Sequence, residues 1–173
     1  MLKTNFAPHP TDQQILNSNP DWILTLLEDL YSQGIQDYVV CPGRGNSSIV
    51  AVLSECSNIN VMSFFEERSA AFFALGAARR LRRPVAIVVT PGTAVMEIGP
   101  ALQEAFYSGT PLVAITADHP KEARGLGLPQ SIVQPGVFSN TTEKTWDLGF
   151  GEALDGLPTW SKRKPIHINI CLE

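Results

Sequence analysis

Two adjacent glutamates, Glu66 and Glu67, are the side chains that the sequence places best for acid–base chemistry. They follow an apolar run at residues 61–65 that reads as a buried strand, and a long helix is predicted over residues 69–81. In open α/β sheets, ligands collect at the carboxyl ends of the strands, so an acid there lies within reach of a substrate or cofactor. The pattern predicts a catalytic role for Glu67. The alternative is a first-turn glutamate that only stabilises the helix dipole.

Two glycine-containing turns favour ligand binding at the same rim of the sheet. Residues 42–45 read PGRG after the predicted strand 37–41, and residues 91–93 read PGT after the predicted strand 84–89. Because both turns open helices, their backbone N–H groups and hydroxyls could contact an anionic or heteroaromatic ligand. Neither GxGxxG nor GxxxxGK[ST] occurs, so the turns indicate neither a dinucleotide-binding fingerprint nor a phosphate-gripping loop.

The histidines are His9, His119 and His167, and the sequence contains no GxSxG motif, so a serine hydrolase is not indicated. His167 lies inside the apolar run 165–170 and is interpreted as a hydrogen-bonded structural residue. His119 lies in the sequence ADHP at the end of the predicted strand 111–116, which makes it the better candidate for a functional site.

The composition favours one domain over residues 1–173, since a chain of 173 residues that is 44% hydrophobic can bury its own core. A net charge of -4 argues against nucleic acid as a partner, and the run RRLRR at 79–83 is interpreted as a solvated helix C-terminus. Cys41, Cys56 and Cys171 lack metal-ligand spacing, so we expect reduced thiols in a cytoplasmic protein and no metal site. Neither a signal peptide nor a membrane-spanning run is visible.

Strand and helix patterns alternate along the chain, which is typical of an α/β, doubly wound fold with a mostly parallel sheet and helices on both faces. The predicted strands are 37–41, 61–65, 84–89, 111–116, 144–148 and 165–170, and the predicted helices are 21–32, one capped by Asn46 or Ser47, 69–81 and 93–107. Residues 1–17 are expected to form an arm or a loop before the first helix. The Gly- and Pro-rich segment 117–136 is expected to be a functional or mobile loop.

The predicted helix 69–81 is apolar almost all round until Arg79. A helix of that kind is normally buried on all sides, whereas one sheet covers only one side. We therefore expect a further layer, such as a second subunit, on its other side.

Four stretches in the same order closely resemble the N-terminal pyrimidine-binding domain of a family of thiamine diphosphate enzymes, the 2-succinyl-5-enolpyruvyl-6-hydroxy-3-cyclohexene-1-carboxylate synthases of menaquinone biosynthesis. They are FEERSAAFFALGAA, PVAIVVTPGTAV, PALQEAFYSGTPLVAITAD and RGLGLPQSIVQPGVF. The resemblance covers about residues 21–170 and is more specific than any single motif.

The resemblance implies that Glu67 hydrogen-bonds the pyrimidine ring of thiamine diphosphate and thereby activates the cofactor. The residues that it places against the cofactor are Glu67, Pro42, Gly43, Thr90, Gly92 and Thr93. Proton exchange with a weakly basic ring is favoured where water is excluded. Phe64, Phe65 and Phe72, together with a partner subunit, are expected to exclude it around Glu67.

The reaction implied by the resemblance is that of a transferase, which decarboxylates 2-oxoglutarate and adds the resulting carbanion equivalent to isochorismate. Magnesium would be held by the GDG and Asn ligands of a separate diphosphate-binding domain, and this sequence contains no such motif. We therefore expect the chain to be a fragment or one subunit of a split enzyme, inactive alone, in a homodimer or higher homo-oligomer.

The substrate-binding residues that the resemblance implies are Arg44, Asn46, His119 and Gln130. The sequence departs from the family at nearby positions: Gly45 replaces the arginine of PGSRST, His119 replaces a second arginine, and Pro129 replaces the asparagine of GANQ. An arginine fork matches a carboxylate bidentately, and neither glycine nor histidine reproduces that geometry. Arg44 could take the missing role. The alternative is another acceptor, as in another thiamine diphosphate-dependent 2-oxoacid decarboxylase or lyase.

A non-catalytic assembly module of the same fold is the main alternative to an enzyme. In that case the helix 69–81 would serve only oligomerisation, and Glu67 would face solvent in a pair with Arg68 or a lysine. A Glu67 carboxylate aimed into a cleft lined by a partner would favour catalysis instead. A flavodoxin-like nucleotide binder would need a phosphate-gripping loop, which the sequence lacks.

Overall fold

A computed structural model describes Lys3 and residues 20–172 of the chain. The predicted arm at residues 1–17 lies outside the described residues, apart from Lys3. The strands are β1 (Asp37–Val40), β2 (Asn60–Ser63), β3 (Val85–Val89), β4 (Leu112–Asp118), β5 (Lys144–Leu148) and β6 (Ile166–Cys171). The helices are α1 (Pro20–Ser32), α2 (Ser47–Glu55), α3 (Glu67–Leu81), α4 (Thr93–Glu97) and α5 (Gly99–Ser108).

In the described part of the chain the six strands form one sheet in the order β2-β1-β3-β4-β6-β5, and every neighbouring pair is parallel. Parallel strands need crossover connections, and here helices supply most of them. Helices α1 and α2 pack on one face of the sheet, and α3, α4 and α5 pack on the other. The predicted doubly wound α/β fold with a parallel sheet is confirmed.

The central strands are buried on both faces, which explains why their sequences are continuous apolar runs. Every residue of β1, β3, β4 and β6 is buried. Successive side chains alternate between the faces, so Tyr38 and Val40 join the core under α1 and α2, whereas Val39 joins the core under α3.

The strand β2 lies at an edge of the sheet, and its residues are exposed or half-buried. The prediction of a buried strand at 61–65 is therefore wrong for this chain. An apolar run does not distinguish a strand buried by its own chain from one that exposes apolar side chains for another layer.

The predicted helix 93–107 is divided into α4 and α5. Pro100 has no N–H to donate, and its ring would clash with the carbonyl group four residues earlier in a continuous helix. The chain therefore turns at Ile98 and Gly99, and Pro100 lies in the first turn of α5, where a missing N–H costs least.

Two of the arginines at 79–83 are ion-paired, which corrects the interpretation of this run as wholly solvated. Arg79 contacts Glu104 at 2.6 Å, and Arg83 contacts the buried Asp37 at 2.7 Å. The first pair is exposed and contributes little to stability. The second ties the end of α3 to the start of β1.

None of the helices in the described residues has both the length and the apolar composition needed to cross a membrane.

Candidate active site at the carboxyl ends of the strands

The structure brings the two predicted glycine turns into contact. A Cβ atom on Gly43 would lie 2.9 Å from Oγ1 of Thr90, and one on Gly45 would lie 2.3 Å from Cδ of Pro91. Real Cβ atoms do not approach other atoms so closely, so these positions require glycine while the turns keep this distance. Residues 42–45 and 90–93 therefore form one surface at the carboxyl ends of β1 and β3.

Asn46 holds the first turn in shape and is fully buried. Its Nδ2 donates to the carbonyl oxygen of Cys41 at 2.9 Å, and its Oδ1 accepts from the N–H of Gly43 at 2.8 Å. Both ends of the amide are thus used within the loop. The geometry gives Asn46 a part in shaping the turn and leaves the predicted contact with substrate unsupported.

Glu66 and Glu67 occupy different positions at the start of α3. Glu66 is the N-cap, and its carboxylate accepts from the backbone N–H groups of Arg68 at 2.9 Å and Ser69 at 2.7 Å, and from the Ser69 hydroxyl. These hydrogen bonds, led by the one from the Ser69 hydroxyl, lower the pKa of Glu66. Glu66 therefore performs most of the helix-stabilising role that the sequence offered as the alternative for Glu67.

Glu67 is half-buried in the first turn of α3. Within residues 20–172 and Lys3, no side chain or backbone group donates a hydrogen bond to its carboxylate. Burial raises the pKa of the neighbouring Cys41 thiol to about 12, and the charge of Glu67 adds to that rise. This places Glu67 close to the end of β1.

The aromatic side chains around this junction do not enclose it in the single chain. The rings of Phe64 and Phe73 pack at 4.9 Å, but Phe65 is fully solvent-exposed at 107%, and Phe72 and Phe73 are each 42% exposed. The predicted screening of Glu67 by Phe65 therefore needs a surface that lies outside the described residues.

A cleft of about 380 Å³ opens beside the two turns. It brings together Arg44, His119 and Gln130, which are three of the four residues predicted to bind substrate. Its walls are completed by Gly45, Ser47, Ser48, Pro91, Asp118, Pro120, Leu128, Pro129 and Leu172. Glu67 does not line this cleft.

The loop after β4 is held against the cleft by its own contacts. The backbone N–H of His119 donates to Oδ1 of Asp118 at 2.8 Å, and its ring Nε2 donates to the carbonyl oxygen of Pro129 at 3.0 Å. Gln130 has a left-handed backbone (φ 57°), which is unfavourable for a residue other than glycine. Gly92 packs against the backbone of Gln130, and a Cβ on Gly92 would lie only 2.8 Å from Cα of Gln130.

An ion-pair cluster lies behind the cleft. Arg124 contacts Asp147 at 2.6 Å, Asp118 at 3.1 Å and Sγ of Cys171 at 3.0 Å. Burial acts to raise the pKa of Asp147, but hydrogen bonds from Arg124 and Asn169 outweigh it and the pKa is lowered. Asp118, Asp147 and Cys171 offer ligand atoms within 4.8 Å of one another. The guanidinium group already supplies the positive charge that a metal would bring.

Buried amides connect this cluster to the second glycine turn. Asn169 donates to Asp118 and Asp147 through Nδ2, and its Oδ1 accepts from Thr116 and Gln134. Gln134 in turn accepts from the N–H of Gly92 at 2.9 Å. The turn is thus bound to residues that lie 42 and more positions further along the chain.

His167 is fully buried, as expected of a structural residue, but only one of its ring nitrogens is hydrogen-bonded: Nδ1 has no partner among the described residues. The hydroxyl of Thr116 donates to Asn169, so it must accept from Nε2–H of His167, 2.8 Å away. Nε2 therefore carries a proton, and the lowered pKa of the ring keeps the imidazole neutral at pH 7. Burial lowers the pKa of His167 to about 4.

Sequence reasoning missed Gln134, Asn169, Arg124 and Asp147. A signal existed for two of them: Gln134 lies within the recognised stretch RGLGLPQSIVQPGVF, and Asn169 is a polar residue in the otherwise apolar run of β6. A buried polar side chain needs partners, so a lone amide in a central strand indicates a network.

Known proteins are similar to this chain over most of its length. Residues 21–141 match the family described as "Thiamine pyrophosphate enzyme, N-terminal TPP binding domain". The chain is 44% identical over 156 residues to the 2-succinyl-5-enolpyruvyl-6-hydroxy-3-cyclohexene-1-carboxylate synthase of Bdellovibrio bacteriovorus, covering 90% of this chain and 30% of that protein. It is 42% identical over 159 residues to the synthase of the same name from Akkermansia muciniphila, covering 91% of this chain and 30% of that protein. The chain thus spans about 30% of the length of these relatives.

The fold is similar to part of a crystal structure of benzoylformate decarboxylase from Polynucleobacter necessarius. The TM-score is 0.71 at 15% identity, and the match covers 89% of this chain and 30% of that chain. At that identity the likeness concerns the fold alone.

Proposed function

The chain belongs to the thiamine pyrophosphate enzymes, as their N-terminal TPP binding domain, and from this premise we propose that Glu67 activates the cofactor in a 2-oxoacid-decarboxylating synthase. The observation that carries the proposal is the difference in hydrogen bonding between Glu66 and Glu67 at the start of α3. Glu66 caps the helix, whereas the half-buried Glu67 receives no hydrogen bond from the part of the chain that the structure describes. A carboxyl group in that state can accept or share a proton with a ligand.

The glycine turns fit a flat heteroaromatic group, and two observations support this. Glycine at positions 43 and 45 lets the first turn lie in direct contact with Pro91 and the Thr90 hydroxyl, where a Cβ would overlap them. That hydroxyl is buried and has no hydrogen-bond partner among the residues described. Buried polar atoms are rarely left unpaired, so a bound ring with polar edges would satisfy it. The residues that we propose to hold the cofactor are Glu67, Pro42, Gly43, Thr90, Gly92 and Thr93.

When bound, thiamine diphosphate supplies an electron sink for the decarboxylation of 2-oxoacids. The contribution of this chain is to orient the pyrimidine half and to exchange a proton with it through Glu67. Exclusion of water would strengthen that contact, because electrostatic interactions are stronger in a low-dielectric site. We propose that a second protomer completes the exclusion by covering Phe65 and Phe72.

We assign the cleft at Arg44, His119 and Gln130 to the substrates, with 2-oxoglutarate as donor and isochorismate as acceptor. The relatives are named for a product that carries succinyl and carboxylate groups, which supports substrates that bear carboxylates. Both substrates carry carboxylates, which the Arg44 guanidinium can bind bidentately. A side chain at position 45 would overlap Pro91, so the arginine of the family pattern has no space there. Arg44, one position away, is free of that restriction and lines the cleft.

The rest of the enzyme is proposed on the same premise. We propose that magnesium ligands lie on a diphosphate-binding domain, that the enzyme is a homodimer or higher homo-oligomer, and that this chain alone is inactive. Its three cysteines are buried and unpaired, which fits the reducing cytoplasm where we place it.

A second candidate is another thiamine diphosphate-dependent 2-oxoacid decarboxylase or lyase of the same fold. His119 and Gly45 favour it, since neither can form the carboxylate fork of an arginine. Turnover of 2-oxoglutarate by the assembled enzyme, with and without isochorismate, distinguishes the two. Product formation only when isochorismate is present supports the synthase, and turnover of a different 2-oxoacid supports the alternative.

The variants Glu67→Gln and Glu66→Gln in the assembled enzyme test the role of Glu67. Glu67→Gln should leave the cofactor affinity largely intact and lower kcat by more than about 10²-fold, because an acid–base group would be lost. Glu66→Gln should lower the thermal stability and leave far more of the activity. Near wild-type turnover by Glu67→Gln would overturn the proposal. That result would favour the alternative in which this domain is a non-catalytic assembly module.

A further inference from the structure

Gln134 uses every polar group of its side chain in buried contacts. The residue is fully buried. Its Nε2 donates to the carbonyl oxygen of Ala117 at 2.9 Å and to Oδ1 of Asn169 at 2.7 Å, and its Oε1 accepts from the N–H of Gly92 at 2.9 Å. One side chain thus joins the end of β4, the strand β6 and the second glycine turn.

Two carboxylates fix the direction of these hydrogen bonds. Nδ2 of Asn169 donates to Asp118 and Asp147, so its oxygen must face the other way, toward Gln134. Reversing the Asn169 amide would turn its oxygen onto two carboxylates, which is unfavourable. Gln134 must therefore present its NH₂ group to Asn169, and only its oxygen remains for Gly92.

The Gly92 turn is held from two sides. On one side the backbone of Gln130 lies where a Cβ of Gly92 would be, with its Cα and carbonyl oxygen both at 2.8 Å. On the other side the Gln134 side chain binds the Gly92 N–H. The residues proposed to touch the cofactor at 90–93 and those proposed to touch substrate at 119 and 130 are thereby linked.

We propose that Gln134 is a positioning residue, which fixes the turn at 90–93 relative to the loop that carries His119 and Gln130. The inference rests on the proposed function, because it assigns that turn to the cofactor. Gln134 is fully buried, so it acts through Gly92 and does not contact the reacting atoms.

The variant Gln134→Glu tests the proposal, because a carboxylic acid can replace the amide only while protonated. The neutral acid accepts from Gly92 and donates its hydroxyl to Asn169 or Ala117. The ionised carboxylate has no proton to donate, so it would lose the hydrogen bonds to both Asn169 and Ala117. We expect the assembled enzyme with this variant to bind thiamine diphosphate at least about tenfold more weakly at pH 8. The affinity should recover as the pH falls to 6.

The measurement is the dissociation constant of thiamine diphosphate by isothermal titration calorimetry between pH 6 and pH 8, which needs no turnover. The wild type corrects for the other groups that face this network, namely Asp118, Asp147, Arg124, Cys171, His119 and His167. Gln103→Glu, at an exposed position of α5, controls for the added charge and should follow the wild type.

Gln134→Leu covers the case in which Gln134→Glu fails to fold. It removes the hydrogen bonds without adding a charge, so it should weaken cofactor binding about equally at every pH in that range. Affinity within twofold of the wild type for either folded variant at pH 8 would overturn the inference, as would weak binding by a folded Gln134→Glu that acid does not restore. Absence of cofactor binding by the wild type would instead refute the proposed function.

Discussion

At the scale of single residues, the position of a carboxylate relative to a helix start separates two neighbouring glutamates. The N-cap position turns the Glu66 carboxylate onto two backbone N–H groups, whereas Glu67, one residue later, lies in the first turn and keeps its carboxylate available. Capping is a local interaction that stabilises the helix. An acid–base residue needs a carboxylate that is not already hydrogen-bonded within the fold. Of these two glutamates, Glu67 meets that condition among the described residues.

The buried His167 predicts a pH dependence of stability. Its pKa is about 4 in the folded chain, below its unfolded value near 6.5, so the unfolded state binds the extra proton first. The stability from the neutral imidazole is fully present above pH 6.5 and is lost as the pH falls toward 4, by up to about 3 kcal/mol. The lowered pKa of Asp147 adds a loss at lower pH, because its ionised form is favoured in the folded state.

Chemical denaturation of this chain at pH 7, 5.5 and 4 measures the effect. His167→Gln keeps a donor for Thr116 but does not titrate, so its unfolding free energy should fall much less between pH 7 and pH 5.5. Equal losses in the variant and the wild type would show that other groups cause the acid sensitivity.

At the scale of elements, glycine has opposite roles in a helix and in a turn. Gly76 lies on the exposed side of α3, and a Cβ there would meet nothing within 4 Å. Gly92 has a positive φ of 84° and no space for a Cβ. The same residue type therefore weakens α3 and makes the turn at 90–93 possible.

Alanine substitutions at these two positions should have opposite signs. Gly76→Ala should stabilise this chain by about 0.5–1 kcal/mol, because alanine favours the helix and reduces the entropy of the unfolded chain. Gly92→Ala should destabilise it by about 2 kcal/mol or more, through backbone strain and overlap with Gln130. Unfolding midpoints in urea measure both changes. Destabilisation by Gly76→Ala would mean that α3 is packed more tightly on its outer side than the structure shows.

At the scale of the whole molecule, the sheet edge at β2 and the outer side of α3 share an incomplete apolar surface. Phe65, Phe72 and Phe73 are exposed there, next to Glu67. Contiguous exposed aromatic side chains are characteristic of interaction sites. Residues of the single chain therefore line one side of the proposed site. We propose that a second copy of the chain lines the opposite side.

Phe72→Asp in the assembled enzyme should disrupt that contact, because a buried charge without a partner is unfavourable at an interface. We expect a shift toward the monomer in sedimentation velocity and a loss of activity that parallels it. Tyr107→Asp is the matched control, since Tyr107 is 76% exposed on α5. The prediction is wrong if Phe72→Asp sediments as the wild type does at micromolar concentration.

Much of the architecture was predictable because it depends on local patterns. Buried parallel strands require continuous apolar runs, and alternation of these runs with helical patterns leaves few topologies other than a doubly wound sheet. The edge position of β2 was not predictable in this way, because the same apolar run serves a strand buried by its own chain and one awaiting another layer. The break between α4 and α5 had a local signal in Gly99 and Pro100, which the helical periodicity of the flanking residues outweighed.

The sequence by itself determined that an acid pair and two glycine turns follow strands of one parallel sheet, since strand ends and turns are local features. The tertiary structure alone decided which glutamate is free, that Asn46 faces inward, and that Gln134 and Asn169 support the turn at 90–93. Hydrogen bonds between residues such as Gly92 and Gln134 join positions 42 residues apart. Their partners are fixed by how the strands align in the sheet, and no local pattern records that alignment.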